Sequence, residues 1–144
     1  MSPAVGWPAL VVLLAANAFF VAAEFSLASV DRSRLHRLAE TGDRRAHMVR
    51  AAVQRLSYQL SAAQLGITVC SLLLGFIAQP LVADLLRPAA RGVGMPGGAA
   101  EASAAVLAVT LATLVQMLLG ELVPQNLAIA RPIAVARAVV PVQR

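Results

Sequence analysis

The chain has few charged residues, few aromatic residues, one cysteine and no lysine. Only 13% of its 144 residues are charged and 4% are aromatic, whereas 59% are hydrophobic. Soluble domains carry about 25% charged residues, so this composition is typical of a membrane protein. The single Cys70 cannot form a disulfide within the chain, and its apolar neighbours predict that it packs as a small hydrophobic residue.

Because lysine is absent, arginine alone supplies the positive side chains behind the net charge of +5. Seven of the twelve arginines lie between Arg32 and Arg55, directly after an apolar run. They do not alternate with aromatic residues or glycine loops, which disfavours nucleic-acid binding. Their clustering instead indicates a segment beside the membrane that sets the topology.

Three apolar segments are long enough to cross the bilayer, which takes about 20 helical residues. They cover residues 7–30, 57–86 and 102–124, and the second is expected to loosen near Pro80. The first exceeds the apolar core of a signal peptide, about 7–15 residues, so a retained helix is favoured over a cleaved leader. The predicted fold class is an all-α membrane protein with three transmembrane helices plus amphipathic juxtamembrane helices.

Two juxtamembrane regions accompany these helices, at residues 31–55 and 125–144. In the first, apolar residues punctuate the arginines at helical spacing, and 41–43 (Thr-Gly-Asp) predicts a division into two helices, with Asp43 as a cap. In the second, residues 132–142 are apolar but too few to span. We interpret them as an element cut off by truncation at the C-terminus.

The distribution of arginine predicts the orientation. The second loop, 87–101, carries only two arginines, so the positive-inside rule places 31–55 in the cytoplasm and the N-terminus outside. Arg131, Arg137 and Arg144 then fall on the cytoplasmic side, as three crossings require. The predicted location is a cell (plasma or inner) membrane, with several passes.

Polar side chains recur at one depth of the predicted bundle. Glu24 is eight residues before Arg32, Gln64 is nine after Arg55, and Glu121 is ten before Arg131. At 1.5 Å per residue they lie roughly 12–15 Å from the arginines. An acid at the bilayer centre is unfavourable by about 2.5–3.5 kcal/mol on insertion scales, so it indicates a functional site.

The third helix combines Glu121 with a helix-breaking residue. Pro124 has no amide hydrogen and crowds the carbonyl of Gly120, which must find another partner in lipid. A cation bound to that carbonyl and to the Glu121 carboxylate would satisfy both groups, as in broken transporter helices. The alternative is a simple proline kink, with Glu121 protonated or hydrogen-bonded.

The other two helices offer oxygen donors. The second carries a stripe of small and polar residues: Ser57, Ser61, Gln64, Thr68, Ser71 and Gly75. This stripe is either a helix-packing seam or a cation path. On the first helix, Glu24 and Ser26 lie on different faces, so the helix is unwound or only one of them ligates. We favour Ser26 as the ligand and Glu24 as a conformational acid.

The candidate metal residues are Glu121, Gly120, Ser26, Thr68, Glu24 and Gln64. All of them offer oxygen, which selects hard cations, Mg²⁺ first and then Na⁺ and Ca²⁺. His36 and His47 lie among the arginines and are interpreted as interface groups.

Four segments resemble the transmembrane module of the CorC/cyclin-M family of magnesium transport proteins, often labelled hemolysin-like. They are residues 17–27 (NAFFVAAEFSL), 31–35 (DRSRL), 63–68 (AQLGIT) and 120–126 (GELVPQN). Glu121 and Gly120 match the Gly-Glu-x-x-Pro element of the family, whereas Thr68 and Ser26 match only as nearby oxygen donors. Many relatives have serine in place of Val21 and asparagine in the motif where this chain has Ile67 and Thr68.

The resemblance implies a homodimer in the lipid bilayer with an inward-facing cavity for Mg²⁺. It also implies transport out of the cytoplasm, with Na⁺ as the candidate exchange ion. The family's cytoplasmic regulatory domains, a paired nucleotide-binding CBS module and a C-terminal domain, are not within these residues, so no ATP site is predicted here.

Two other classes compete with a transporter. One is a membrane scaffold or anchor, whose polar stripes only hold helices together. The other is an intramembrane hydrolase, which is disfavoured because no nucleophile–base pair with a supporting histidine can be placed at one depth, and no His-Glu-x-x-His is present. The chain is therefore predicted not to be an enzyme.

Overall fold

The computed structural model describes residues 3–92, 94 and 96–143, which are mostly helical and contain no strand. The elements are α1 (Pro3–Ser29), α2 (Arg32–Glu40), α3 (Arg44–Gln54), α4 (Leu56–Gly92), α5 (Gly97–Val115), a π-helical segment (Gln116–Leu122), α6 (Val123–Ala130) and α7 (Pro132–Gln143). Three stretches are long and apolar enough to cross a membrane: Pro3–Ser29, Leu56–Gly92 and Gly97–Ala130. The predicted fold class is confirmed.

The three spanning stretches form a bundle with α1 and α4 at its centre. Helix α1 packs against α4, α4 packs against α5, and the π segment and α6 return to α1. Most residues buried between these helices are small, among them Ala63, Cys70, Ala104 and Ala108. Small side chains let helix backbones approach closely where lipid supplies no apolar driving force for association. Cys70 is buried, as predicted.

Helix α4 differs from its prediction in length. Pro80 and Pro88 lie inside it without interrupting it, and the helix continues to Gly92. Ala78, Leu81 and Ala83 are buried on this part of α4, which packs against α5. Tertiary packing therefore outweighs the local effect of the prolines, and much of the predicted loop 87–101 is helical.

Helices α2, α3 and α7 form what we call the basic layer. Asp31 caps α2 by accepting hydrogen bonds from the amides of Ser33 (2.8 Å) and Arg34 (3.2 Å). Asp43 caps α3 through the amides of Arg45 (2.9 Å) and Ala46 (3.2 Å). The predicted division into two helices and the Asp43 cap are confirmed.

The basic layer and the end of α1 share a continuous apolar core. Leu27 of α1, Leu35 of α2 and Val49 of α3 are at most 2% exposed. Helix α7 adds Ala136, Val139 and Val140 to the same core. The apolar segment 132–142 is thus not an unpartnered stretch but part of a helix packed on α1 and α3.

The basic layer also contains a long-range ion pair, between Arg137 Nη2 of α7 and Asp43 Oδ2, at 2.6 Å. Asp43 therefore caps α3 and also holds α7 to it. Arg144, the last residue of the predicted juxtamembrane region, lies outside the described residues.

Candidate ion site at the π segment of the third spanning helix

The third spanning stretch changes its hydrogen-bond pattern in mid-course. Between Gln116 and Leu122 it is π-helical, and at its end the Val123 amide donates to the carbonyl of Leu118, five residues back. Such π turns are often found at functional sites. Pro124 follows at once and has no amide hydrogen to donate to the carbonyl of Gly120. The sequence therefore leaves one backbone oxygen without its normal helical donor.

That oxygen is satisfied by a side chain of another helix. Asn17 of α1 is fully buried, and its Nδ2 donates to the Gly120 carbonyl at 3.0 Å. The Ser71 hydroxyl of α4 donates to Oδ1 of the same Asn17 at 3.2 Å. We call Asn17, Ser71 and Gly120 the polar junction, because they link the three spanning stretches.

Two glycines permit the close approach of helices here. A Cβ at Gly120 would lie 3.1 Å from both Asn17 Nδ2 and Leu14 Cδ1, closer than ordinary contact. A Cβ at Gly66 of α4 would lie 2.7 Å from three ring carbons of Phe20. Glycine at these positions lets α1 contact α4 and the π segment at short range.

Glu121 lies on the π segment, directly after the polar junction. Its side chain is half-buried, and its neighbours Leu118, Leu119 and Leu122 are exposed to what would be lipid. Within the described part of the chain, the Glu121 carboxylate takes part in no ion pair. A carboxylate without a cationic partner inside a spanning helix is unfavourable, so a bound cation would stabilise it.

The remaining candidates lie elsewhere in this conformation. Helix α1 is regular to Ser29, so it is not unwound at Glu24 or Ser26. Ser26 is fully buried and its hydroxyl donates to the Ala23 carbonyl at 3.2 Å, whereas Glu24 is half-buried.

The α4 candidates are exposed. The Thr68 hydroxyl donates to the Gln64 carbonyl of its own helix at 2.9 Å, and both side chains face outward. No hydrogen bond among the described residues joins Ser26, Thr68 or Gln64 to the polar junction.

The sequence analysis includes Asn17 only within segment 17–27 and Ser71 only in the stripe of the second helix, and it makes neither a candidate ligand. The available signal was that Asn17 is an amide inside a long apolar run, where a polar group needs a partner. No cluster of three or more His, Cys, Asp or Glu residues occurs in the described ranges. The donors at hand are thus one carboxylate with carbonyl, amide and hydroxyl oxygens, a set suited to a hard cation that keeps some water.

Three apolar crossings, a third helix with a π segment that carries an acid, and a basic layer at one end define a multi-pass helical membrane domain. The cyclin M transmembrane N-terminal domain family matches residues 8–144, and the chain belongs to this family.

Curated relatives align with most of the chain. A UPF0053 protein of Mycobacterium tuberculosis is 44% identical over 132 residues, which is 92% of this chain and 29% of the relative. UPF0053 protein YhdT of Bacillus subtilis is 39% identical over 120 residues, 83% of this chain and 26% of that protein. The chain thus spans between a quarter and a third of the length of these two proteins.

Proposed function

We propose that this domain carries Mg²⁺ across the membrane, out of the cytoplasm and in exchange for Na⁺, through a polar cavity open to the side of the basic layer. The observation that carries the proposal is Glu121, a carboxylate inside the third spanning stretch without an ion-pair partner in the described chain. It follows Gly120 directly in the π segment. The positive-inside rule supports a cytoplasmic basic layer and a cell-membrane location. No catalytic step is proposed.

The chemistry of the π segment suits a hard cation. A carbonyl oxygen has two lone pairs, so Gly120 can accept from Asn17 Nδ2 and still face an ion. Carbonyls freed at broken helices bind cations in transporters. Mg²⁺ dehydrates reluctantly, so proteins bind it through one or two carboxylates while it keeps several waters. Glu121 provides one such carboxylate, and a single carboxylate still allows the ion to leave.

The other predicted donors belong to the path in this proposal. Gln64 and Thr68 are exposed on α4, where their oxygens can meet an ion that moves along the bundle. Glu24 is half-buried on α1, eight residues before Arg32. Ser26 would require a change in the packing of α1 to take part, because its hydroxyl is buried. Apart from Ser71, which bonds to Asn17, the small and polar stripe on α4 is exposed. This exposed part also supports a homodimer, since such residues pair helices in lipid.

The test is thermal unfolding of the detergent-solubilised chain in rising Mg²⁺, with Na⁺ and Ca²⁺ measured in parallel. Ligand binding to the folded state at 100 times Kd stabilises it by about 2.7 kcal/mol. We expect this stabilisation in the native chain and its loss in Glu121→Gln.

Glu101→Gln is the matched control. Glu101 is exposed near the start of α5, where its carboxylate faces Arg91 at 3.5 Å. This variant should keep the full Mg²⁺ effect. Indifference of the native chain to all three ions, or equal losses in both variants, would contradict the proposal and favour a membrane scaffold.

A further inference from the structure

A cavity of about 450 Å³ lies where two spanning helices end. Its lining includes Ser29, the last residue of α1, and Ala130, the last residue of α6. It therefore lies at the level where apolar spanning sequence gives way to the basic layer. Water in the liquid occupies about 30 Å³, so the cavity has room for a group much larger than one water.

Positive charge dominates this cavity. Three arginines line it, Arg34, Arg131 and Arg137, against one acid, Asp31. The Asp31 carboxylate is engaged by its own helix, because Oδ1 accepts from the amides of Ser33 and Arg34. Within the described ranges, Arg34 and Arg131 form no ion pair.

Arg137 supplies a donor without an acceptor. One end of its guanidinium binds Asp43, at 2.6 Å through Nη2. Its Nε is buried and has no hydrogen-bond partner among the described residues. A buried N–H left unpaired is unfavourable. The side chain as a whole is 38% exposed, so other parts of Arg137 are accessible at the cavity that it lines.

We propose that this cavity binds the phosphate headgroup of an anionic phospholipid. Guanidinium groups hold phosphate through charge-assisted, often bidentate hydrogen bonds, and basic pockets beside membrane helices bind such headgroups. Leu38 and Ile133 also line the cavity, which gives the glycerol and acyl part of a lipid an apolar surface that inorganic phosphate would not use. This site rests on residues separate from those proposed to bind Mg²⁺.

The test measures binding of a short-chain phosphatidylglycerol to the detergent-solubilised chain. Phosphatidylcholine of the same chain length and inorganic phosphate serve as the comparison probes. Each arginine near an anionic headgroup contributes about a fivefold change in affinity. We therefore expect Arg34→Gln with Arg131→Gln to weaken phosphatidylglycerol binding roughly 30-fold.

Arg44→Gln is the matched control, since Arg44 is an exposed arginine of the same layer and does not line the cavity. It should change the affinity less than about twofold, because its side chain is not part of the cavity lining. Should the double variant not fold, Arg131→Gln alone makes the same comparison at an exposed position.

Three results would overturn the proposal. They are equal binding of phosphatidylcholine and phosphatidylglycerol, equal losses in the control and the cavity variants, and inorganic phosphate binding as tightly as the lipid. The last result would identify the site as one for a free anion.

Discussion

The basic layer and the spanning bundle are both helical, but they are held together differently. In the basic layer, large side chains such as Leu35 and Val49 are buried, and arginines cover the outside. In the bundle, most large side chains point outward, for example Leu72 at 70% and Phe76 at 82% exposure, and alanine fills many of the contacts. The solvent explains the inversion, because water drives large apolar groups inward and lipid does not.

The polar contacts differ in the same way. The basic layer places its hydrogen-bonded carboxylates at helix ends, where Asp31 and Asp43 cap α2 and α3. The bundle places Asn17 in the middle, where its amide compensates for the carbonyl that Pro124 leaves unpaired. Burial of apolar side chains should therefore dominate the stability of the basic layer. Close helix approach and buried hydrogen bonds should dominate the stability of the spanning bundle.

The largest effect is expected from Leu35→Ala. Leu35 is 1% exposed in the core of the basic layer. Its truncation should lower the free energy of unfolding by about 2–5 kcal/mol, through lost burial and a residual cavity. The same change at lipid-facing Leu72 should stay within about 0.5 kcal/mol. Denaturant titration in detergent, followed by circular dichroism, measures both, and equal effects would break the comparison.

Next comes Gly66→Ala in the bundle. The new Cβ would lie 2.7 Å from carbons of the Phe20 ring, so Phe20 or the helices must shift. Overpacking of this kind destabilises by about 1–3 kcal/mol.

Gly75→Ala on the same helix is the control for this change, because nothing lies within 4 Å of its added Cβ. It should be neutral or stabilising by up to about 1 kcal/mol, through higher helix propensity. The two variants are compared by thermal unfolding in detergent. Indistinguishable midpoints would show that α1 and α4 do not meet closely at Gly66.

Asn17→Ala should have a smaller effect, about 1–2 kcal/mol, because interhelical hydrogen bonds in membranes contribute little each. It removes both bonds of the polar junction, whereas Ser71→Ala removes only the one to Oδ1. We therefore expect Ser71→Ala to cost about 0.6 kcal/mol. Hydrogen exchange of the amides of residues 116–123 should become faster in Asn17→Ala and not in Ser71→Ala. Unchanged exchange in Asn17→Ala would contradict a role for Asn17 in stabilising the π segment.

The smallest effect concerns pH and the capping of α2. Hydrogen bonds from the Ser33 hydroxyl and from the amides of Arg34 and Ser33 lower the pKa of Asp31 from its ordinary value of 3.8. Because the folded pKa is lower than the unfolded one, the stabilisation is present above the ordinary pKa and is lost as pH falls through the lower, folded value.

Asp31→Asn tests this link. Asparagine still caps a helix but has no carboxylate to titrate. The variant should therefore lose part of the acid dependence of unfolding below about pH 4, which is the ordinary range of an aspartate. Unfolding titrations across this range measure the change. Identical pH profiles for the native chain and the variant would show that titration of Asp31 does not contribute to the acid dependence of unfolding.

Parts of the candidate site could be predicted from the sequence because they depend on local chemistry. The missing amide of Pro124 predicts an unpaired Gly120 carbonyl whatever the fold, and a mid-membrane Glu121 predicts a functional acid. The hydrogen-bond partner of the Gly120 carbonyl could not be predicted, since Asn17 is 103 residues away in the chain and contacts it only through helix packing. Likewise, Ser26 looked available as a ligand, but packing of α1 in the shared core buries it.

The amino-acid sequence by itself determined the helical class, the three crossings and the division of the basic layer, because hydropathy, helical periodicity and turn residues act over short distances. Only the tertiary structure decided which polar groups meet, that α4 runs on through Pro80, and that α7 completes the basic layer. Those outcomes depend on contacts between helices that are distant in the chain. Close packing and the need of each buried donor and acceptor for a partner determine which of these contacts form.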